Sequence, residues 1–219
     1  MRFEIKGNPS YGEVDVDLGP SETLLIEPGA MSRMSSNLNS SFQRQGGFFS
    51  AMFRKMFGGE NFFLGKYEHP DGGKLTFAPS TPGHVEHRQL TNNSLNIMAG
   101  GFLACTPGVN IKAKFGGLKA LFSGEGAFLL EASGSGDLFF NSFGGVVEKQ
   151  INGEFIVDTG HVVAFDPSLD YKITGMGSFK STMLSGEGLV MKFSGNGKLY
   201  LQTRNVSSIA SWLTPRLLG

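Results

Sequence analysis

Two histidines stand close enough in the sequence to suggest a metal site. His84 and His87 are separated by Val85 and Glu86, and the chain has four histidines in all. Imidazoles bind zinc when their rings converge on one point. Residues three apart in a strand point to opposite faces, so these two rings could converge only on a turn. We therefore favour a solvated loop over a metal site and expect no cofactor.

Three aspartates could form a carboxylate cluster late in the chain. Asp158, Asp166 and Asp170 lie within thirteen residues of one another, and they flank Gly160 and Pro167. Aspartate is a common turn residue because its side chain bonds to the backbone just beyond it. We interpret these aspartates as turn residues rather than as catalytic carboxylates.

One glycine-rich stretch resembles a phosphate-binding loop. Residues 195–198 read Gly-Asn-Gly-Lys, but the full P-loop spacing, a Ser or Thr after the lysine and a following helix are missing. A hairpin turn explains the glycines better, because glycine supplies the positive φ that tight turns need.

Three glutamates recur in similar glycine-rich contexts. Glu60, Glu125 and Glu187 each follow a glycine and precede an apolar run. They could act as catalytic carboxylates, but three copies in related turns favour a structural role in which each accepts backbone N–H bonds. We find no catalytic constellation and expect the protein not to be an enzyme.

The single cysteine limits both chemistry and location. Cys105 rules out an intrachain disulfide and a cysteine zinc cluster, and its apolar strand favours an inert core thiol over a nucleophile. The N-terminus lacks a signal-peptide core, and no run of 18 apolar residues occurs. These features predict a cytoplasmic protein that does not span a membrane.

Composition predicts a β protein. Among 219 residues there are 32 glycines and 20 phenylalanines, which fits short strands joined by tight turns. The 19 basic and 19 acidic residues balance, which argues against a nucleic-acid binder driven by electrostatics.

An internal repeat organises these elements. Residues 123–140 and 185–201 share the order Ser-Gly-Glu-Gly, apolar strand, glycine pair and apolar strand, and residues 58–77 form a weaker copy. We interpret the last part of each copy as a β-hairpin. An apolar strand that stops at a proline precedes each copy, at Pro28, Pro107 and Pro167. The chain is thus predicted to contain three β units, at about 1–90, 91–150 and 151–219.

An apolar segment interrupts the first unit. Its large apolar side chains recur at helical spacing: Phe48, Phe49, Met52, Phe53, Met56 and Phe57. Such a face needs a partner, which could be the protein's own units, a neighbouring subunit, a membrane surface or another protein. A last helical turn is predicted at 209–213, around Trp212.

The order of these motifs resembles a known family. Pro28-Gly29-Ala30-Met31, the Phe- and Met-rich segment that ends in Phe57-Gly58-Gly59-Glu60, the Gly-Glu-Gly turn and the closing hairpin are similar to the altered-inheritance-of-mitochondria family of conserved β proteins. The resemblance spans almost the whole chain. That family occurs in bacteria, archaea and fungal mitochondria and has no established enzymatic activity.

The resemblance implies a particular fold and assembly. It implies a mainly β chain of three small β-sandwich units with few short helices, similar to the tryptophan RNA-binding attenuator protein, and trimers that form a ring of nine units. We therefore expect a non-catalytic homotrimeric scaffold or interaction module. Membrane association through residues 48–57 is one alternative, and RNA or small-ligand binding is another. Lys74, Asp137 and Lys198 occupy the matched hairpin position without a common charge, which argues against RNA.

Overall fold

A computed structural model of the chain describes residues 1–44, 63–114, 129–175 and 189–217. The described residues are mostly in β-strands, which confirms the prediction of a mainly β protein. Their elements are the strands β1 (Arg2–Lys6), β2 (Glu13–Leu18), β3 (Thr23–Ile26), β4 (Met31–Met34), β5 (Asn39–Arg44), β6 (Phe63–Glu68), β7 (Gly73–Phe77), β8 (Val85–Met98), β9 (Phe102–Cys105), β10 (Val109–Lys114), β11 (Leu129–Asn141), β12 (Val146–Asp158), β13 (Val162–Phe165), β14 (Leu169–Gly175) and β15 (Leu189–Gln202), two 3-10 turns (Ala99–Gly101 and Thr159–His161) and the helix α1 (Val206–Leu217).

The described strands form two sheets. The small sheet has the order β1-β2-β7-β4, and the large sheet follows the path β12-β15-β13-β8-β11-β9-β3-β6-β5, with β10 paired to β11 and β14 paired to β15. The chain alternates between the two sheets in its first part: β1, β2, β4 and β7 lie in the small sheet, whereas β3, β5, β6 and every described strand from β8 onward lie in the large one. Every pairing between these strands is antiparallel.

The predicted glycine hairpins are wrong. β11 and β15 run straight through the glycines at which we expected a turn. At the third copy the chain does turn, at residues 70–72, but β6 and β7 do not pair with each other: β6 pairs with β3 and β5, and β7 pairs with β2 and β4.

Close backbone approach explains the glycines in β11. A Cβ atom at Gly134 would lie 2.3 Å from the carbonyl oxygen of Gly108, and one at Gly136 would lie 2.2 Å from Oγ1 of Thr106. Both glycines also have positive φ, +123° and +149°. At this point β11 exchanges β10 for β9 as its partner, so the turn between β9 and β10 passes directly over it. Glycine in a strand often marks such a contact.

Alternation along the strands builds the core. In β2, Val14, Val16 and Leu18 are buried while the residues between them are not, as a half-buried strand requires. The short strands β9 and β13 are buried at every position because their side chains on both faces of the sheet pack into the hydrophobic core. The strands that precede Pro28, Pro107 and Pro167 end where we expected, at Ile26, Cys105 and Phe165.

The helix α1 is longer than the predicted turn at 209–213. Asn205 caps it, because its Oδ1 accepts the backbone N–H of Ser207 at 2.9 Å. None of its side chains is buried. No helix in the described part of the chain is long and apolar enough to cross a membrane.

Several predicted sites lie outside the described residues. They are the apolar segment Phe48, Phe49, Met52, Phe53, Met56 and Phe57, and the three turn glutamates Glu60, Glu125 and Glu187. Their predicted roles stay predictions.

Candidate functional site

A charged surface cavity lies over the small sheet. Its volume is about 680 Å³, and β1, β2, β4 and β7 supply its lining. The strand alternation that buries Val14 and Leu18 on one face of β2 turns Asp15 and Asp17 to the other. The cavity is therefore the polar face of the small sheet.

Ion pairs neutralise most charges in this cavity. Lys6 Nζ lies 2.7 Å from Asp15 Oδ2. Arg33 binds both carboxylate oxygens of Glu13, at 2.9 and 2.8 Å, and reaches Asp15 Oδ1 at 3.0 Å. This two-point contact is the strong form of an arginine–carboxylate pair. The network ties β4 to β2, two strands that do not pair directly.

The same contacts decide how Asp15 ionises. The hydrogen bond from Lys6 and the one from the Thr76 hydroxyl, at 2.5 Å, lower the pKa of Asp15 to about 2. A carboxyl with so low a pKa stays ionised near neutral pH and is a poor general acid or base there. The network is suited to holding strands together rather than to proton transfer.

The pKa of Glu27 is shifted in the opposite direction from that of Asp15. Glu27 follows β3, and burial raises its pKa to about 7. No described residue forms a hydrogen bond or ion pair with its carboxylate. A carboxyl that titrates near neutrality could transfer protons, but catalysis would also require a positioned partner. Sequence reasoning missed Glu27, because a glutamate before Pro-Gly carries no signal that the fold will bury it.

The structure separates the two neighbouring histidines. His84 Nε2 lies 3.0 Å from Glu86 Oε2, whereas His87 Nε2 lies 2.8 Å from Asp137 Oδ1. The His87 ring also packs against Phe3, with ring centroids 4.5 Å apart. In the described ranges, no group of three or more His, Cys, Asp or Glu side chains is arranged to hold a metal ion.

The three aspartates do not form a cluster. Asp158 Oδ1 accepts the backbone N–H of Gly160 at 2.7 Å. Asp166 accepts the backbone N–H of Lys198 at 2.9 Å and pairs with Arg88 at 2.8 Å. Asp170 lies within β14. The turn interpretation is therefore confirmed for Asp158 and Asp166, while Asp170 is a strand residue.

Cys105 is fully buried in β9. Burial raises the pKa of its thiol to about 12, so almost no thiolate exists at neutral pH. The thiolate is the reactive form of cysteine. The structure thus confirms the prediction of an inert core thiol.

A second cavity, of about 460 Å³, lies beside the two 3-10 turns and the start of α1. Asn141 lines it and is only 5% exposed, and its Oδ1 has no hydrogen-bond partner among the described residues. Gln202 also lines the cavity, and its longer side chain reaches both Gly160 O, at 2.7 Å, and Phe143 N, at 2.8 Å. Polar and apolar side chains both line this cavity, and the described residues place no nucleophile and base together in it.

Several edge strands among the described residues expose apolar side chains to solvent, and β4 and β12 are two of them. In the described ranges β4 pairs only with β7, and β12 pairs only with β15. Met31 and Met34 in β4 are 37% and 38% exposed, and Ile156 in β12 is 54% exposed. Unpaired edges of this kind are ready to pair with another strand. The sequence analysis missed both edges, since exposure of an edge depends on the order of strands in the sheet.

Comparison with known proteins places the chain in a family. A sequence model described as "Mitochondrial biogenesis AIM24" matches residues 3–204. An uncharacterized protein of Streptococcus pyogenes serotype M6 is 31% identical over 222 residues, which cover 97% of this chain and 90% of that protein. A crystal structure of a protein from Streptococcus pyogenes superimposes with a TM-score of 0.83 at 29% identity and covers 98% of this chain and 99% of that one.

The match spans nearly all the described strands, and its family is the one that the sequence motifs resemble. Neither streptococcal protein carries a functional name. The chain belongs to the AIM24 family of conserved, mainly β proteins.

Proposed function

We propose that this protein is a non-catalytic scaffold that assembles head to tail into a homotrimeric ring of three-unit chains. The observation that carries the proposal is a strand joint that occurs twice inside the chain. Its two halves recur at β4 and β12, each of which has one edge that pairs with no described strand. The following pairings and hydrogen bonds support it.

A shared strand pairing supports three related units. Each of the short strands β4, β9 and β13 pairs with a later strand and skips its own second residue. The skipped residues are Ser32, Leu103 and Val163. A β-bulge is a specific local feature, and its recurrence at the same place is hard to explain by chance.

A shared hydrogen bond supports the same alignment. The side chains of Ser35, Thr106 and Asp166 each accept a backbone N–H from the long strand beside them, at 2.9 Å in each case. The donors are Lys74, Asp137 and Lys198, which the sequence analysis had already matched. Ser35 thus stands where Thr106 and Asp166 stand, so the proline-terminated strand at Pro28 is not the counterpart of those at Pro107 and Pro167.

These pairings suggest unit boundaries at 13–77, 85–141 and 146–202. They differ from the sequence-based boundaries near 90 and 150 because those boundaries cut through β8 and β12, and each of these strands opens a unit. β2 with β3 then corresponds to β8 and to β12, and β6 with β7 corresponds to β11 and to β15. In the first unit, two shorter strands replace each long strand of the other units: β2 and β3 replace the opening strand, and β6 and β7 replace the closing strand.

Two internal joints connect the proposed units. β9 pairs with β3, and β13 pairs with β8. Each joint uses the short strand of one unit and the opening strand of the unit before it, so the connection runs head to tail. A head-to-tail contact repeated between copies gives a closed ring or an open filament.

Light scattering of the purified protein tests the proposal. We expect a solution mass three times that of one chain, independent of concentration over a broad range. A monomer at all concentrations would refute the scaffold. Replacement of Phe49, Phe53 and Phe57 by serine tests the apolar segment separately: dissociation would assign that segment to the subunit interface, and an unchanged mass would remove it from the interface.

Helix α1 favours a second candidate function, association with a membrane surface. Its exposed apolar residues include Val206, Ile209, Leu213 and Leu217, which recur at helical spacing. Such a stripe can bury in the headgroup region of a bilayer. Flotation with anionic vesicles tests this function: Leu213→Asp should abolish flotation, whereas Ser211→Asp, on the polar face, should not. Failure of the native protein to float would exclude it.

A further inference from the structure

We infer that the exposed edge of β4 in one copy pairs with the exposed edge of β12 in the next copy, with Met34 opposite Ile156 and Arg33 opposite Val157. This inference rests on the proposed head-to-tail assembly and names the surfaces that form it. The partner is a second copy of this chain, and the contact is an antiparallel strand pair.

The two internal joints determine the expected register. At one joint Cys105 lies opposite Leu25 and Ala104 opposite Ile26. At the other, Phe165 lies opposite Asn96 and Ala164 opposite Ile97. The shared bulge places Met34 at the position of Cys105 and Phe165, and Arg33 at the position of Ala104 and Ala164.

The position of Ile156 follows from the long strands. Ile97 lies opposite Leu130 in β11, and Val157 lies opposite Met191 in β15. The capping contacts make Asp137 in β11 equivalent to Lys198 in β15. Leu130 and Met191 lie the same number of residues before Asp137 and Lys198, so they are equivalent too. Val157 therefore corresponds to Ile97, and Ile156 corresponds to Asn96.

Burial differs sharply between the internal joints and the free edges. At the joints the paired residues are at most 5% exposed: Leu25, Ile26, Asn96, Ile97, Ala104, Cys105, Ala164 and Phe165. Their counterparts Met34 and Ile156 are 38% and 54% exposed. Pairing of β4 with β12 would cover both side chains and satisfy the free backbone groups of both edges.

The proposed contact between β4 and β12 is more polar than the two internal joints. Arg33 replaces a buried alanine, and Ser32 replaces Leu103 and Val163 at the bulge. The guanidinium of Arg33 is held by Glu13 and Asp15 within its own copy, so its charge is already compensated. A contact of mixed polarity suits surfaces that are also exposed to water before assembly.

Cysteine cross-linking tests the register. The chain with Met34→Cys is mixed with the chain with Ile156→Cys, the oligomers are allowed to exchange, and the mixture is oxidised. Opposed residues in an antiparallel pair can form a disulfide, and Cys105 is buried. We expect a covalent dimer from the mixture and none from either variant alone. The double variant should give covalent oligomers up to the size of the closed ring.

A matched control uses the other end of β12. Val147 is 49% exposed in the same strand, but its counterpart in β8, Glu86, lies outside the internal joint. Met34→Cys with Val147→Cys should therefore give no covalent dimer. Likewise, Ile156→Lys should reduce the solution mass to that of one chain, and Val147→Lys should leave it unchanged.

The outcomes separate this inference from the proposed function. If light scattering shows an oligomer but the mixture gives no cross-link, the β4–β12 contact is wrong and the scaffold stands. A cross-link from Ile156→Cys alone would indicate two-fold pairing of β12 with itself and would also overturn the contact. A native protein that stays monomeric would refute both.

Discussion

At the scale of single residues, the fold gives similar carboxyls opposite behaviour. Asp15 has a lowered pKa because Lys6 and Thr76 donate to it, whereas Glu27 has a raised pKa because it is partly buried and no described residue donates to its carboxylate. A hydrogen bond to the charged form favours ionisation, and desolvation opposes it. Neither effect can be read from the residue type.

Replacement of Glu27 by glutamine should stabilise the protein above neutral pH. The pKa of Glu27 is about 7 in the folded state against an ordinary value of 4.5, so ionisation destabilises the folded protein as the pH rises between these values. At pH 8 the gain should be up to about 3 kcal/mol, because one pKa unit corresponds to about 1.4 kcal/mol. Below pH 4 the two proteins should be equally stable. Urea denaturation at a series of pH values measures the difference, and a gain that does not depend on pH would contradict the burial argument.

Cys105 should not react with a thiol reagent in the native protein. Its thiol is buried, and its pKa of about 12 leaves almost no thiolate at pH 8. Addition of dithionitrobenzoate should release no colour until the protein is denatured, when one thiol per chain should react. Rapid reaction of the folded protein would show that β9 opens readily.

At the scale of elements, β11 and β15 are long continuous strands at the places where we expected hairpin turns. Gly134 and Gly136 let β11 continue under the turn between β9 and β10, and the side chain of Thr106 then caps the backbone at Asp137. Glycine next to apolar runs indicates either a hairpin or a close approach of two backbones. Only the position of the neighbouring strand distinguishes these cases.

Loss of the Thr106 cap should destabilise the fold. Thr106→Val keeps the shape of the side chain but leaves the N–H of Asp137 without this acceptor, at a cost of about 1 to 3 kcal/mol. Thr91→Val, at an exposed position in β8, should change stability by less than about 0.5 kcal/mol. Urea denaturation followed by circular dichroism measures both. Equal effects of the two substitutions would show that the cap contributes nothing.

At the scale of the whole molecule, shared strands join the proposed units into one cooperative structure. β13 pairs with β8 and β9 pairs with β3, so the large sheet continues through strands of all three proposed units. The ring of Phe140 packs edge-on against Tyr200 at 5.3 Å, which connects the second proposed unit to the third.

A cavity at this contact should lower the stability of the whole chain. Phe140 is fully buried, so Phe140→Ala should cost about 3 to 5 kcal/mol. Because the units share one sheet, unfolding should remain a single transition at a lower temperature. Phe42→Ala, at a side chain that is 78% exposed, is the matched control and should change little. Calorimetry that resolves two transitions in the Phe140 variant would show that the units unfold separately.

The sequence by itself determined the class of the protein, its family and several local features. Composition predicted β structure, the order of motifs identified the family, and prolines marked the ends of β3, β9 and β13. The match of Lys74, Asp137 and Lys198 also came from sequence, because each of them follows a glycine and precedes an apolar run. Asp158 was recognised as a turn residue because its side chain bonds to backbone that is near in sequence, at Gly160. The bond from the side chain of Asp166 to the distant backbone of Lys198 left no such local signal.

Only the tertiary structure decided which strands pair, which edges stay open and which carboxyl is buried. Met34 and Ile156 are far apart in sequence, and nothing near either residue shows that it lies at a free edge. The similar hydrogen bonds of Ser35, Thr106 and Asp166 were likewise hidden, because the prolines suggested another alignment. Strand pairing depends on contacts between distant residues, whereas a sequence pattern records only the local period of each strand.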